Sequence, residues 1–282
     1  FINIMINIIY AVGLNLILGV AGQFSLGHAG FIAIGSYSGA ILGKMMNGLP
    51  GLFAGMAVGV VISVIVAFLV GLPTLRLKGD YLAIATLGVA EIIRVAVTNM
   101  KITNGAAGIS GVPLTNTWTI TYIALVLTTI LILNYTFSSA GRATYAVLQD
   151  EIAAESMGVQ VTKYKILAFV LGAATASIGG TLSATTLGAV TPSDFTFMKS
   201  IEVLIIVVFG GIGSFTGSFV AAVLLGIINL VLQPFGQLRM IIYAVALILI
   251  MIFRPGGLLG TWEFKLGDFK FSKKKETKES GK

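Results

Sequence analysis

The sequence predicts an all-α, polytopic transmembrane helix bundle of about nine spans, with one short helix on the cytoplasmic side between two of them. Three observations lead there. Of 282 residues, 56% are hydrophobic and only 10% charged, with a mean hydropathy of +0.99, whereas soluble domains average about a quarter charged residues. Several apolar segments approach the roughly 20 residues that cross hydrocarbon as a helix, without the polar/apolar alternation of a membrane barrel. A long polar stretch, Gly141 to Lys165, separates two strongly apolar segments.

The apolar segments fall at Phe1 to Gly19, His28 to Met46, Leu52 to Leu72, Asp80 to Val97 and Trp118 to Phe137. They continue at Ile166 to Gly188, Phe195 to Phe209, Phe215 to Leu232 and Met240 to Phe253, the shortest of which also fits a partial span. Thirty-five glycines suit this class, because small residues let membrane helices approach closely. Phe1 opens directly in an apolar run with no basic leader or cleavage site, and a start at Phe rather than Met points to further N-terminal sequence.

Lys and Arg concentrate in cytoplasmic connections, which sets the orientation. With the C-terminus inside, the inner connections hold Arg76, Lys78, Arg142, Lys163, Lys165 and Arg254, against Lys44, Lys101, Lys199 and Arg239 outside. The Lys-rich tail adds to the inner side. The chain therefore divides into a membrane domain over 1–260 and a cytoplasmic tail over 261–282, whose Trp262, Phe264 and Phe269 suit interfacial anchoring in the lipid bilayer. The same count places 141–165 in the cytoplasm. Within it Glu151 to Gly158 reads as a short helix ending near a glycine, with Leu148, Ile152 and Val159 at roughly helical spacing. A connection of about 25 residues exceeds the usual helix–helix link, which favours docking over a plain solvated connector.

Gly19 to Ser25 and Gly210 to Thr216 share the pattern G-x-x-G-x-F-[ST] at inner turns, which fits either a duplication or two turns with the same need for glycine. The outer connection from Thr98 to Thr117 has loop composition, and suits a plain loop or part of an entrance.

No catalytic constellation is visible, and no G-x-x-x-x-G-K-[ST] loop would cradle a nucleotide. Any ATP energy must come from another chain. The absence of cysteine and the single histidine exclude thiolate and histidine-cluster metal sites. The net charge of +7 reflects the tail and the membrane flanks, so nucleic acid is not an expected partner. The polar residues that would line a translocation path are Asn15, Gln23, Ser25, His28 and Glu91; each also suits a structural role. Glu91 pairs with Arg94 one turn on, and lies about 16 Å along its helix from Asp80. Lys199 and Glu202 form a similar pair, which fits an interfacial structural role better than substrate contact.

Four stretches together resemble the permease subunits of bacterial ABC importers for branched-chain amino acids, the high-affinity M-type permease family. They are Gly13-Leu-Asn15 through Gly22-Gln-Phe-Ser-Leu-Gly-His28-Ala-Gly30; Pro73 through Gly79-Asp80-Tyr81 to Glu91-Ile-Ile-Arg94; Asn104 to Pro113; and Gly141-Arg142 through Glu151-Ile-Ala-Ala-Glu155-Ser-Met-Gly158 to Gly210-Gly-Ile-Gly213-Ser. The ending Arg254-Pro-Gly-Gly-Leu-Leu-Gly260 is similar as well.

The resemblance implies a non-enzymatic transport subunit in a bacterial or archaeal cell (inner) membrane. Its partners would be a second homologous permease, two cytoplasmic ATPases that bind ATP and Mg, and an extracytoplasmic amino-acid-binding protein; this chain itself would carry no cofactor. Glu151, Ala153, Ala154, Glu155 and Gly158 match the family's coupling helix, with carboxylates available to basic groups on an ATPase. Related permeases for urea or short amides look similar. An ion-coupled secondary carrier, to which Glu91 lends support, and a non-transporting scaffold remain as readings of a different class.

Overall fold

The computed structural model describes residues 1–74, 77, 79–232 and the isolated positions 245, 248, 256–258 and 260. Apart from positions 245 and 248, the expected span from Met240 to Phe253 lies outside the described residues, as do the tail over 261–282 and Arg76, Lys78, Arg239 and Arg254. The remainder is almost entirely helical. Helices α1 (Ile2–Asn15), α2 (His28–Met46), α3 (Leu49–Thr74), α4 (Asp80–Asn99) and α5 (Trp118–Phe137) precede the polar stretch. That stretch holds α6 (Ser139–Gln149) and α7 (Glu151–Ser156), and α8 (Val161–Leu187), α9 (Phe197–Gly210) and α10 (Phe215–Val231) follow.

Among the described residues five helices are long and apolar enough to cross a membrane: α1 with its π-helical extension Leu16–Val20, α3, α4, α5 and α8. A sixth arises if α9 and α10 count as one broken span, since they bend by 118° at a short break. The sequence treats these two as separate spans. With 14 and 17 residues, each is shorter than the roughly 20 that cross hydrocarbon. Helix α2 has the expected boundaries, but His28, Ser36, Tyr37, Ser38 and Lys44 keep it below the apolarity of a lipid-exposed span. Its position explains how it tolerates them.

Helix α2 packs between α8 and α3, where glycines bring backbones together. A Cβ on Gly35 would stand 2.0 Å from the Ser177 carbonyl oxygen, and one on Gly180 would stand 2.2 Å from that of Ile32. Only glycine permits this approach. Two hydrogen bonds use it: the Ser36 hydroxyl donates to Gly180 O at 2.9 Å, and the Thr181 hydroxyl to Gly35 O at 2.9 Å.

Burial separates the inner helices from the outer ones. Of the apolar windows, 78% of α1 and 67% of α8 lie inside the bundle, against 22% of α3, 28% of α4 and 33% of α5. The outer three present apolar side chains such as Ile65, Leu69, Ile84, Ile92 and Leu127 to their surroundings, as lipid or partner contact demands. The core joins Tyr10, Phe31, Phe169 and Phe209, with Phe31 and Phe169 edge to face at 5.6 Å.

Two short strands, β1 (Ile109–Ser110) and β2 (Ala189–Val190), pair antiparallel with Ile109 opposite Val190. They fasten the connection after α4 to the end of α8. The 3₁₀ turn Pro192–Phe195 then leads into α9, closed by a reciprocal cap between Thr191 and Asp194.

Candidate functional site

The polar stretch folds as two helices rather than one. Ser138 caps α6 by accepting from the Gly141 amide at 3.2 Å, and the Tyr135 and Thr144 hydroxyls meet at 2.6 Å, which fixes α6 against α5. Extended backbone at Asp150 breaks the helix, and its carboxylate accepts from the Ile152 and Ala153 amides at 2.9 and 3.1 Å to start α7. This break separates the residues that the sequence placed on one face. Leu148 packs beside Gly22, whereas Ile152 is exposed.

Helix α7 turns one small residue inward and its charge outward. Ala154 is buried, Glu155 and Ala153 are exposed, and Glu151 makes an ion pair with Lys165 at the start of α8. Gly158 ends the segment at φ +82, with the Val159 amide donating back to Ala154 O at 3.0 Å. A Cβ there would meet nothing within 4 Å, so the backbone conformation alone requires glycine. Glu155 and Gly158 also edge a cleft of about 1120 Å³ whose walls are apolar residues of α3 and α8, among them Phe68, Leu69, Ile166 and Val170.

The interior residues singled out by sequence do not converge on one point. Asn15 is fully buried, donates to Ser214 O at 2.8 Å and to the Ser218 hydroxyl at 3.0 Å, and accepts from the Gly213 amide at 2.9 Å. It fastens the end of α1 to the break between α9 and α10. The two G-x-x-G-x-F-[ST] turns meet at the same place, because a Cβ on Gly19 would stand 2.3 Å from the Gly213 nitrogen.

Gln23 and Ser25 lie buried in the non-helical segment between α1 and α2. The Gln23 amide donates to Lys165 O at 3.0 Å, and the Ser25 hydroxyl accepts from the Gly27 amide at 3.3 Å. His28 is buried at the start of α2, facing the Tyr10 backbone without a well-formed hydrogen bond to either ring nitrogen. Glu91 is on a different surface. Both its oxygens accept from Arg94 Nε, at 3.0 and 2.9 Å, on a partly exposed face of α4, and it lines neither the apolar cleft nor the polar cavities.

Those polar cavities are what the sequence did not reveal. One, of about 320 Å³, lies among α1, α9 and α10, with Asn3, Asn7 and Asn229 on its walls. Another, of about 280 Å³, lies among α1, α2, α8 and the 3₁₀ turn, with Ile32, Ser36, Val190 and Asp194 on its walls. They share Tyr10, Ser183, Leu187, Lys199 and Glu202. The Lys199 ammonium meets the Glu202 carboxylate at 2.9 Å and stands 5.9 Å from the Tyr10 ring centre. The signal available in the sequence was the Lys199–Glu202 pair itself. Its surroundings come from segments far apart in the chain.

Comparison with known proteins places this architecture. The permease protein LivM of Salmonella typhimurium is 37% identical over 90% of this chain and 68% of its own length. LivM of Escherichia coli is 36% identical over the same shares, and LivH of Salmonella typhimurium is 25% identical over 89% of this chain and 90% of its own. All three are described as permease proteins of a high-affinity branched-chain amino acid transport system. No solved structure matches significantly. The family model for the permease component of branched-chain amino acid transport systems matches residues 1–253, and this chain, a multi-pass membrane protein, belongs to that family.

Proposed function

We propose that this chain is one of two homologous membrane subunits of an ATP-driven importer for branched-chain amino acids, with α7 as its coupling helix. The observation that carries the reading is the family match across residues 1–253. The LivM and LivH relatives, at 37% and 25% identity, favour a LivM-like role here with a LivH-like subunit beside it. The LivM and LivH relatives support this reading rather than a urea or amide permease or an ion-coupled carrier.

The chain lacks a phosphate-binding loop, so ATP and Mg would be held by two cytoplasmic ATPase subunits, and an extracytoplasmic protein would deliver the amino acid. Helix α7 suits force transfer, since it is short, capped at both ends, and carries Glu151 and Glu155 outside a buried Ala154. The full count of about nine spans and a cytoplasmic C-terminus follow from the charge distribution and the segment from Met240 to Phe253.

The test is uptake of labelled leucine, isoleucine and valine into proteoliposomes holding both permeases and both ATPases, supplied with the binding protein. Uptake that requires ATP and all subunits is expected. Uptake driven by an ion gradient without the ATPases would overturn the proposal.

A further inference from the structure

Several polar groups in the bundle interior join helices, as Asn15 and Ser36 do. The polar groups around Lys199 and Glu202 face space instead. Two adjoining cavities share this ion pair as part of their common wall, and the side chains of Lys199 and Glu202 keep partial exposure of 26% and 41%. Lys199 lies in the first turn of α9 and Glu202 one turn further on, at the end of the helix away from Gly210. From Gly210, at the Asn15 junction, Lys199 is about 16 Å along α9 at 1.5 Å per residue.

A second observation points to a ligand. The Tyr10 hydroxyl is fully buried, and the Ser183 hydroxyl on the shared wall is its one candidate partner among the described residues. A phenol both donates and accepts, so a buried one whose neighbour is a single wall hydroxyl keeps hydrogen-bonding capacity that a bound molecule can fill. The chemistry of the walls narrows that molecule. A cation and an anion stand next to each other, with hydroxyls alongside and the apolar Ile32, Ala184 and Val190 across the second cavity.

We propose that Lys199, Glu202, Tyr10 and Ser183 form a relay site for an α-amino acid in its zwitterionic form. The ligand's carboxylate takes Lys199 and the Tyr10 hydroxyl, its ammonium takes Glu202, and its side chain lies against Ile32, Ala184 and Val190. The two protein charges neutralise each other when the site is empty, and exchange partners with the ligand's two charges when it is filled. Neither state leaves an unpaired charge in the interior, where one is costly. Each cavity falls near the lower end of the roughly 300–1,000 Å³ of small-ligand pockets, which suits a single amino acid. An uncharged amide would leave the ion pair closed. This inference rests on the importer reading for its substrate class.

The native chain has no cysteine, so Ser183→Cys places a single reporter thiol on the shared wall. The assembled complex, without binding protein, is treated with a small methanethiosulfonate reagent in the presence of leucine, leucinol (no carboxylate) or 4-methylpentanoate (no ammonium). Leucine at saturation is expected to slow labelling at least about fivefold, following occupancy, while the two singly charged analogues do not. In the Lys199→Met or Glu202→Gln background the leucine concentration for half-protection should rise at least about tenfold.

Equal protection by all three compounds, or by none, would overturn the site, as would a thiol that never reacts. Uptake by the complex containing the native chain is measured in parallel. A complex that imports leucine without zwitterion-selective protection sinks this inference alone. Selective protection in a complex that imports no branched-chain amino acid sinks the importer reading and leaves the site standing.

Discussion

The side-chain amide of Gln23 donates to the backbone carbonyl of Lys165 across 3.0 Å, joining the buried turn between α1 and α2 to the start of α8. Lys165 in turn pairs with Glu151 on α7. A continuous polar connection therefore runs from α7, through the root of α8, to the unwound segment that leads into His28. Contact in a structure is not coupling by itself, so the connection has to be tested energetically.

Gln23→Leu keeps the size of the side chain and removes the bond to Lys165. A carbonyl losing a buried partner costs about 1–3 kcal/mol, which a bundle of this size should survive. We expect the complex to assemble and hydrolyse ATP, with the ratio of leucine imported to ATP hydrolysed falling by about fivefold or more, as coupling energies of about 1–3 kcal/mol allow. An unchanged ratio, measured by simultaneous uptake and phosphate release, would show that the bond only anchors the turn.

Asn15→Leu should act on stability instead. The substitution removes three hydrogen bonds, with Ser214 O, the Ser218 hydroxyl and the Gly213 amide; Ser214 O keeps the Ser218 amide and hydroxyl as donors, so the Gly213 amide loses most. At about 1–3 kcal/mol for an unsatisfied buried group, the junction between α1 and the α9–α10 break should loosen. Loss of thermal stability in detergent is the expected outcome, and Ser218→Ala, which removes one hydroxyl but leaves Asn15 bonded to Ser214 O and to the Gly213 amide, should lose less. Equal melting temperatures for Asn15→Leu and the native chain would remove Asn15 from the packing scheme.

Why these residues escaped a reading of the sequence is physical. The limits of α2, α5 and α10 are close to those expected, because apolarity and turn residues mark helix ends. The glycine-rich turn at Gly210 to Thr216 marks the break between α9 and α10, but not its 118° angle; that depends on backbone packing, where a Cβ on Gly217 would stand 2.2 Å from Gly210 O. Glu91 was ambiguous for the opposite reason: both faces of α4 are apolar, so periodicity could not say which side it occupies. The polar cavities are joined by tertiary packing alone, since Tyr10, Ser36, Ser183 and Lys199 belong to four different helices.

Gly158→Ala separates conformational strain from packing at the end of α7. The φ of +82 costs a residue with a Cβ about 1–2 kcal/mol, and open space around it means that no clash adds to that cost. The strain is local. Faster hydrogen exchange in the amides of α7 is expected, with the global melting temperature nearly unchanged. If α7 exchanges at the native rate, the cap does not limit its order.

The carboxylates of α7 hold different positions, and that difference makes their roles separable. Glu155 is exposed at the rim of the apolar cleft, whereas Glu151 already pairs with Lys165 inside the chain. Glu155→Lys therefore changes what α7 presents to a partner while sparing that internal pair. Glu151→Lys changes the outer charge and also places two cations together, which lowers order within the segment. Adding Lys165→Glu to Glu151→Lys restores an internal pair of reversed sign but not the original outward charge. If Glu151 serves a basic surface on the ATPase, ATP-driven uptake should stay low in this charge swap and recover only when the facing ATPase cation is reversed as well. If Glu151 instead orients α7 through Lys165, the swap alone should return uptake to within about twofold of the native level, since the reversed pair restores the internal contact. Native uptake in Glu155→Lys, in Glu151→Lys and in the double Glu151→Lys/Glu155→Lys variant would take both carboxylates out of the coupling mechanism.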